Sequence, residues 1–106
     1  MITFEDFKKL EIRIGKVLSV EKVEESDKLL KLEIDLGKEK RQIVVGMAEF
    51  FEPEYFLNKE LLVFVNLEPR KFKGIESQGM VLAVDVNKKP VLLVPEKEVP
   101  PGSIIK

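Results

Sequence analysis

Histidine and cysteine are both absent from this chain of 106 residues. The first absence removes the Ser-His-Asp triad, the commonest general base near neutral pH and the usual zinc sites. The second removes disulfides and thiolate chemistry. No apolar run approaches the roughly 18 residues that a membrane span needs, and no signal peptide opens the chain. An excess of charge is missing too: 18 Lys and Arg stand against 19 Asp and Glu, a net charge of −1. A polyanion partner would therefore be held by a local patch and not by a global field. These absences point to a soluble, cytoplasmic protein that is not an enzyme, with no cofactor, no metal and no membrane among its expected partners.

What is present suffices for a folded unit. At 44% hydrophobic residues the chain can bury a core, and its length is that of one domain, residues 1–106, since domains commonly run to about 100–150 residues. Charged residues make up 35% of it, mostly Lys and Glu, a composition shared by thermophile surfaces and by ordinary solvated ones.

Periodicity then supplies the elements. Thr3 can cap a short helix, with Asp6 three residues on in a capping box and Ile2 facing Phe7 as a staple. Ile12, Ile14, Leu18 and Val20 alternate in a long strand from Glu11 to Val23, and Gly15 marks a bend or bulge that lets one strand serve two sides of a barrel. L-L-K-L-E-I-D-L alternates cleanly, with Leu30, Leu32, Ile34 and Leu36 inward. Gly37 and Lys38 turn it into a third strand, R-Q-I-V-V-G. M-A-E-F-F-E-P-E-Y-F-L-N reads as a helical connection in which the aromatics pack into the core. L-L-V-F-V-N and G-M-V-L-A-V-D-V are the fourth and fifth strands, and the apolar P-V-L-L-V-P and S-I-I-K follow. Five strands with a helix between the third and fourth describe an all-β, OB-fold barrel with an N-terminal helix and a C-terminal extension. That fold binds ligands on its strand 2–3 face and through loops 1–2 and 4–5.

Loop 4–5 is then N-L-E-P-R-K-F-K-G-I-E-S-Q-G-M, Asn66 to Met80. A turn needs Pro69 and Gly74; it does not need Arg70, Lys71 and Lys73. Cations on a stiff loop can sit against phosphates, Asn66, Ser77 and Gln78 suit sugar hydroxyls or base edges, and Phe72 offers a stacking face. Equally, the cations can be a solvated turn and Phe72 a plug for the barrel end. On the residues alone the solvated turn is slightly favoured, because Glu68 and Glu76 dilute the charge. The carboxylates Asp27, Asp35, Glu49, Glu52 and Glu54 lack the spacing of a Ca²⁺ loop and read as solvated surface. No phosphate-cradling glycine motif is present.

Four stretches carry a resemblance: D-F-K-K-L-E-I-R-I-G-K-V, S-D-K-L-L-K-L-E-I-D-L-G, R-Q-I-V-V-G and the Asn66–Met80 segment continuing into V-L-A. Together they resemble the tRNA-binding domain of methionyl-tRNA synthetases, found as a C-terminal domain, a separate β subunit or a free-standing protein. S-D-K-L and N-L-x-P-R-K-x-x-G-I-E-S-x-G-M are the most specific parts. The resemblance implies a non-catalytic barrel that binds tRNA by shape and not by sequence, as a homodimer. It places the binding surface on Lys28, Arg41, Asn66, Arg70, Lys71, Lys73, Ser77 and Met80, so that the cations now read as phosphate contacts. Where eukaryotic cytokine-like relatives have H-P-N-A-D-K-L, this chain has E-E-S-D-K-L, with two carboxylates that repel phosphate. Gln78 stands where many relatives have Glu, which favours an anion. The implied partners are tRNA, a second copy of the chain and the methionyl-tRNA synthetase catalytic domain. The alternative is a dimeric, peptide-binding secretion chaperone of the same architecture, whose members lack the full S-D-K-L and E-S-x-G-M motifs. The apolar segments after Val86 are either the dimer contact, together with the N-terminal helix, or a tail folded back on its own barrel.

Overall fold

The computed structural model describes residues 1–106. Its first element, helix α1 (Phe4–Phe7), is a single turn held by its cap. The Thr3 hydroxyl accepts the Asp6 N–H at 3.2 Å while the Asp6 carboxylate accepts the Thr3 N–H at 3.2 Å. Those contacts lower the Asp6 pKa from its ordinary value: the Thr3 backbone N–H contributes most, then the Lys9 ammonium and the Thr3 hydroxyl. The expected capping box is present; Ile2 nevertheless remains exposed.

The strands β1 (Ile12–Lys22), β2 (Leu30–Asp35), β3 (Lys40–Val45), β4 (Glu60–Phe64) and β7 (Met80–Val81) form a nearly closed antiparallel barrel in the order β3-β2-β1-β4-β7. This is an OB-like all-β fold. Alternation decides which side chains fill it: Leu30, Leu32 and Ile34 of β2 are buried, and Lys31, Glu33 and Asp35 are not. With Val17, Ile43, Leu61 and Val63 they surround Phe56 in one core. β1 does serve two sides. Its first half pairs with β4 and its second with β2, and Lys16 stands opposite both Glu60 and Asp35. The register slip falls between Val17 and Ser19, not at Gly15. Gly15 is needed for packing, because a Cβ there would overlap the Ile34 side chain.

Three expected elements differ. The connection between β3 and β4 is a turn followed by one 3₁₀ turn, Pro53–Phe56, and not an α-helix. Only Phe56 of its aromatics is fully buried; Phe51 packs beside it, stacked on Tyr55 at 4.8 Å, while Phe50 and Tyr55 stay exposed. Loop 4–5 is itself a hairpin, β5 (Arg70–Phe72) and β6 (Ile75–Ser77). Lys73 and Gly74 turn it with φ of 53° and 80°, the left-handed pair that a tight two-residue turn requires. The fifth strand is cut in two. β7 stays in the barrel, and β8 (Ala83–Val86) leaves it to pair with β9 (Lys89–Leu92) through Asn87 and Lys88.

The C-terminal segment returns to its own barrel. The Val99 N–H donates to Glu60 Oε1 at 2.9 Å, Gly102 N–H to the Ile14 carbonyl at 2.7 Å and Ile14 N–H to the Ser103 carbonyl at 2.9 Å. β10 (Ile104–Ile105) then pairs with the start of β1. Where this tail crosses the β2–β3 turn, the two backbones touch. A Cβ on Gly37 would lie 2.6 Å from the Pro101 carbonyl oxygen, and one on Gly102 would overlap the Leu36 carbonyl. No helix is long and apolar enough to cross a membrane.

Candidate nucleic-acid interface

β3 is the edge at which the barrel closes, so its outward N–H groups need acceptors. They find them in the segment returning from the hairpin. Val44 N–H donates to the Ser77 hydroxyl at 3.0 Å, and Gln42 N–H to the Gln78 side-chain carbonyl at 3.1 Å. In return Gln78 N–H donates to the Gln42 carbonyl and the Gln42 side-chain amide to the Glu76 carbonyl, each at 2.8 Å. The seam is thus closed partly by side chains, and the cationic hairpin springs directly from it.

On that hairpin the three cations do not share one face. Arg70 and Phe72 alternate with Lys71, which lies across from Glu76, and Lys73 occupies the turn. The Arg70 guanidinium lies over the Phe72 ring, 4.9 Å from its centroid, a cation–π contact that fixes its long side chain. All three cations are exposed and none has an ion-pair partner. Lys73 lines a cavity of about 420 Å³ against the loop after β1, together with Lys22, Lys31, Glu24 and Glu25. The two carboxylates singled out in the sequence therefore do face the hairpin tip.

The other expected site residues divide into two groups. Lys28 is an exposed cation in the loop between β1 and β2, and Met80 is exposed on β7 beside the hairpin base. Asn66, Ser77 and Arg41 have side chains already engaged. Asn66 accepts the Glu11 N–H at 2.8 Å and donates to the Lys9 carbonyl at 2.7 Å, tying the exit of β4 to the N-terminal segment. Ser77, 3% exposed, accepts from Val44 and donates to the Gly79 carbonyl at 2.9 Å. Its hydroxyl closes the seam, with its donor and one acceptor site engaged. Arg41 donates through Nε to Glu39 and through one Nη to the Val65 and Gln78 carbonyls. It lines a cavity of about 460 Å³ with Lys40, Pro69 and Gln78, at the foot of the hairpin. Gln78, read from sequence as a polar group for sugar or base edges and as a neutral replacement for Glu, spends its side-chain carbonyl on the Gln42 N–H, and Gln42 carried no expectation of its own. The signal available for Gln42 was its place on the closing strand, where an unpaired edge needs polar partners.

Residues 12–104 match the family described as a tRNA binding domain. The chain belongs to the tRNA-binding domain family. It is 57% identical over 102 residues to methionine–tRNA ligase of Archaeoglobus fulgidus, covering 96% of this chain and 16% of the ligase. The corresponding ligase of Methanothrix thermoacetophila is 50% identical over 106 residues, 100% of this chain and 16% of that protein. The chain thus spans only a small part of these ligases, and the matching part is their C-terminal region, separate from the catalytic one. Among solved structures, a MetRS-related protein from Pyrococcus horikoshii superposes with a TM-score of 0.96 at 36% identity, over 100% of this chain and 98% of that one. The chaperone CsaA of Bacillus anthracis follows the same path with a TM-score of 0.90 at 32% identity, over 100% and 99% of the two chains. The tRNA-binding domain is a binding module and not an enzyme.

Proposed function

We propose that residues 1–106 act as one cytoplasmic unit that holds tRNA through shape and phosphate contacts and assists methionyl-tRNA synthetase, as a fused domain or a separate subunit. The observation that carries this reading is the hairpin: three unpaired cations on a two-stranded arm bolted to the barrel seam. A rigid arm holds its charges in place before the ligand arrives, and phosphate contacts fix register without reading bases. Lys28, Arg41 and Met80 extend the surface, while Asn66 and Ser77 support it from behind. A second weak contact raises a synthetase's hold on tRNA through effective concentration, with no new chemistry.

The test is to change Arg70, Lys71 and Lys73 together to Gln and to measure tRNA affinity across salt. Each lost phosphate contact lowers the slope of log affinity against log salt by about 0.7–0.9. A folded triple variant with wild-type affinity and slope places the tRNA elsewhere. Since CsaA shares the fold, peptide binding is the competing reading; it is favoured if an apolar peptide array retains the protein and a tRNA shift assay does not.

We also propose a homodimer, formed through the β8–β9 hairpin. Val84, Val86 and Val91 are 43%, 47% and 49% exposed on it, whereas the tail after Val99 is bound to its own barrel. A contiguous apolar surface of this kind usually marks an interface. Light scattering should give twice the mass of one chain at micromolar protein, and Val84→Lys with Val91→Lys should halve it. A wild-type protein of monomer mass refutes the pairing.

A further inference from the structure

Beside the tail, away from the hairpin tip, lies a cavity of about 330 Å³ whose walls include Glu11, Arg13, Lys38, Glu39, Arg41 and Gly102. It shares Glu39, Arg41 and Val65 with the cavity at the hairpin foot, so the two adjoin at the start of β3 and are treated together as one groove. Its two arginines are set alike. Arg13 Nε donates to Glu11 at 2.7 Å and one Nη to the Gly102 carbonyl at 2.7 Å. Arg41 Nε donates to Glu39 and one Nη to the Val65 and Gln78 carbonyls. In each, the carboxylate two residues earlier takes the Nε–H and a backbone carbonyl oxygen takes Nη1, which fixes the plane of the guanidinium. The second Nη of each has no protein partner and is not buried. The side chains are 36% and 28% exposed, so both guanidinium groups are held in place yet still reachable.

A guanidinium held through Nε and one Nη, with its other Nη unpartnered, is prepared to donate to an anion, because the entropy of orienting the long side chain has already been lost. Lys38 at the β2–β3 turn and Lys40 at the start of β3 bring the groove to four cations against two carboxylates, both of the latter already paired. We propose that this groove is a second phosphate-binding site. In it Arg13, Lys38 and Arg41 hold a phosphodiester of the same bound tRNA, so that the RNA backbone runs from the cationic hairpin along β3 to the C-terminal tail. The proposal rests on the tRNA-binding reading above and adds Arg13 and Lys38 to the contact surface.

Two measurements test it. Inorganic pyrophosphate titrated into ¹⁵N-labelled protein should shift the amides of Gly37, Lys38, Glu39 and Gly102, and Lys38→Gln should weaken those shifts. With a folded tRNA transcript, Lys38→Gln should lower the salt slope by about 0.7–0.9 and the affinity at 0.1 M salt by about 5- to 8-fold. Lys38 makes no side-chain hydrogen bond or ion pair, so the fold should be untouched. Arg13→Lys keeps the charge but loses the fork, and should lower affinity while leaving the slope near wild type. Pyrophosphate shifts confined to the hairpin, or a wild-type slope in Lys38→Gln when the hairpin triple variant has lost slope, overturn the second site and leave the first standing. If the wild type binds no tRNA, the functional reading falls, and the pyrophosphate shifts alone decide whether the groove is an anion site.

Discussion

Replacing Ser77 with Ala tests whether that residue meets the RNA or builds the arm that does. Its hydroxyl accepts the Val44 N–H and donates to the Gly79 carbonyl, and the residue is 3% exposed. Alanine leaves a buried N–H on the closing strand without an acceptor, which costs about 1–3 kcal/mol. For a domain of this size each kcal/mol lowers the melting temperature by about 4–8 °C. Ser77→Ala should therefore melt roughly 5–20 °C below wild type. Its tRNA affinity should fall because the hairpin loses its anchor, while the salt slope should not change because no charge was removed. Ser77→Thr, which keeps the hydroxyl, should recover much of the melting temperature. The assay is a thermal melt followed by binding across salt, at a temperature where both proteins are folded. An Ala variant as stable as wild type but weakened for tRNA would refute the reasoning, and the hydroxyl would then belong to the interface.

Glu60 is buried, with Oε1 accepting the Val99 N–H and Oε2 unpartnered. Glu60→Gln keeps an acceptor for the Val99 N–H, so its urea midpoint should stay near wild type; Glu60→Ala leaves that N–H without its acceptor and should lose about 1–3 kcal/mol. Asp6 has a lowered pKa in the folded chain, so its cap contributes above the unfolded aspartate value and is lost as pH falls through the folded one. Amide shifts of Thr3 and Asp6 should accordingly hold until the pH drops below ordinary aspartate titration, and Asp6→Asn should abolish that transition.

Much of the barrel was legible because alternation in β2 is strict with aliphatic inward residues, and because β3 ends in the aliphatic run Ile43–Val45, buried throughout. The cation-rich motif around Arg70 stands out by its residue types alone. Its form as a hairpin was less visible, since three-residue strands leave too few alternating positions to stand out from a loop. The helix expected over residues 47–58 reduces to a turn and a 3₁₀ turn: Met47, Ala48 and Phe51 pack partly against the core and Phe56 fully, on either side of the extended Glu52 that precedes Pro53. Ser77 and Asn66 carry the plainest lesson. Their types suited sugar hydroxyls, but the Ser77 hydroxyl is taken by buried backbone groups on the closing seam, and the exposed Asn66 amide by backbone groups of the N-terminal segment.

The backbone crossing of Gly37 and Gly102 has a kinetic side. It lies among contacts that join Ile14 to Ser103 and Ile12 to Ile105, nearly the whole chain apart. Loop closure of that span comes late, since its entropy is recovered only when the barrel already presents β1 and the β2–β3 turn in place. Docking of the tail should then be the last event in folding and the first to reverse. A barrel with an undocked tail would keep its hairpin and lose the wall that Gly102 gives to the groove.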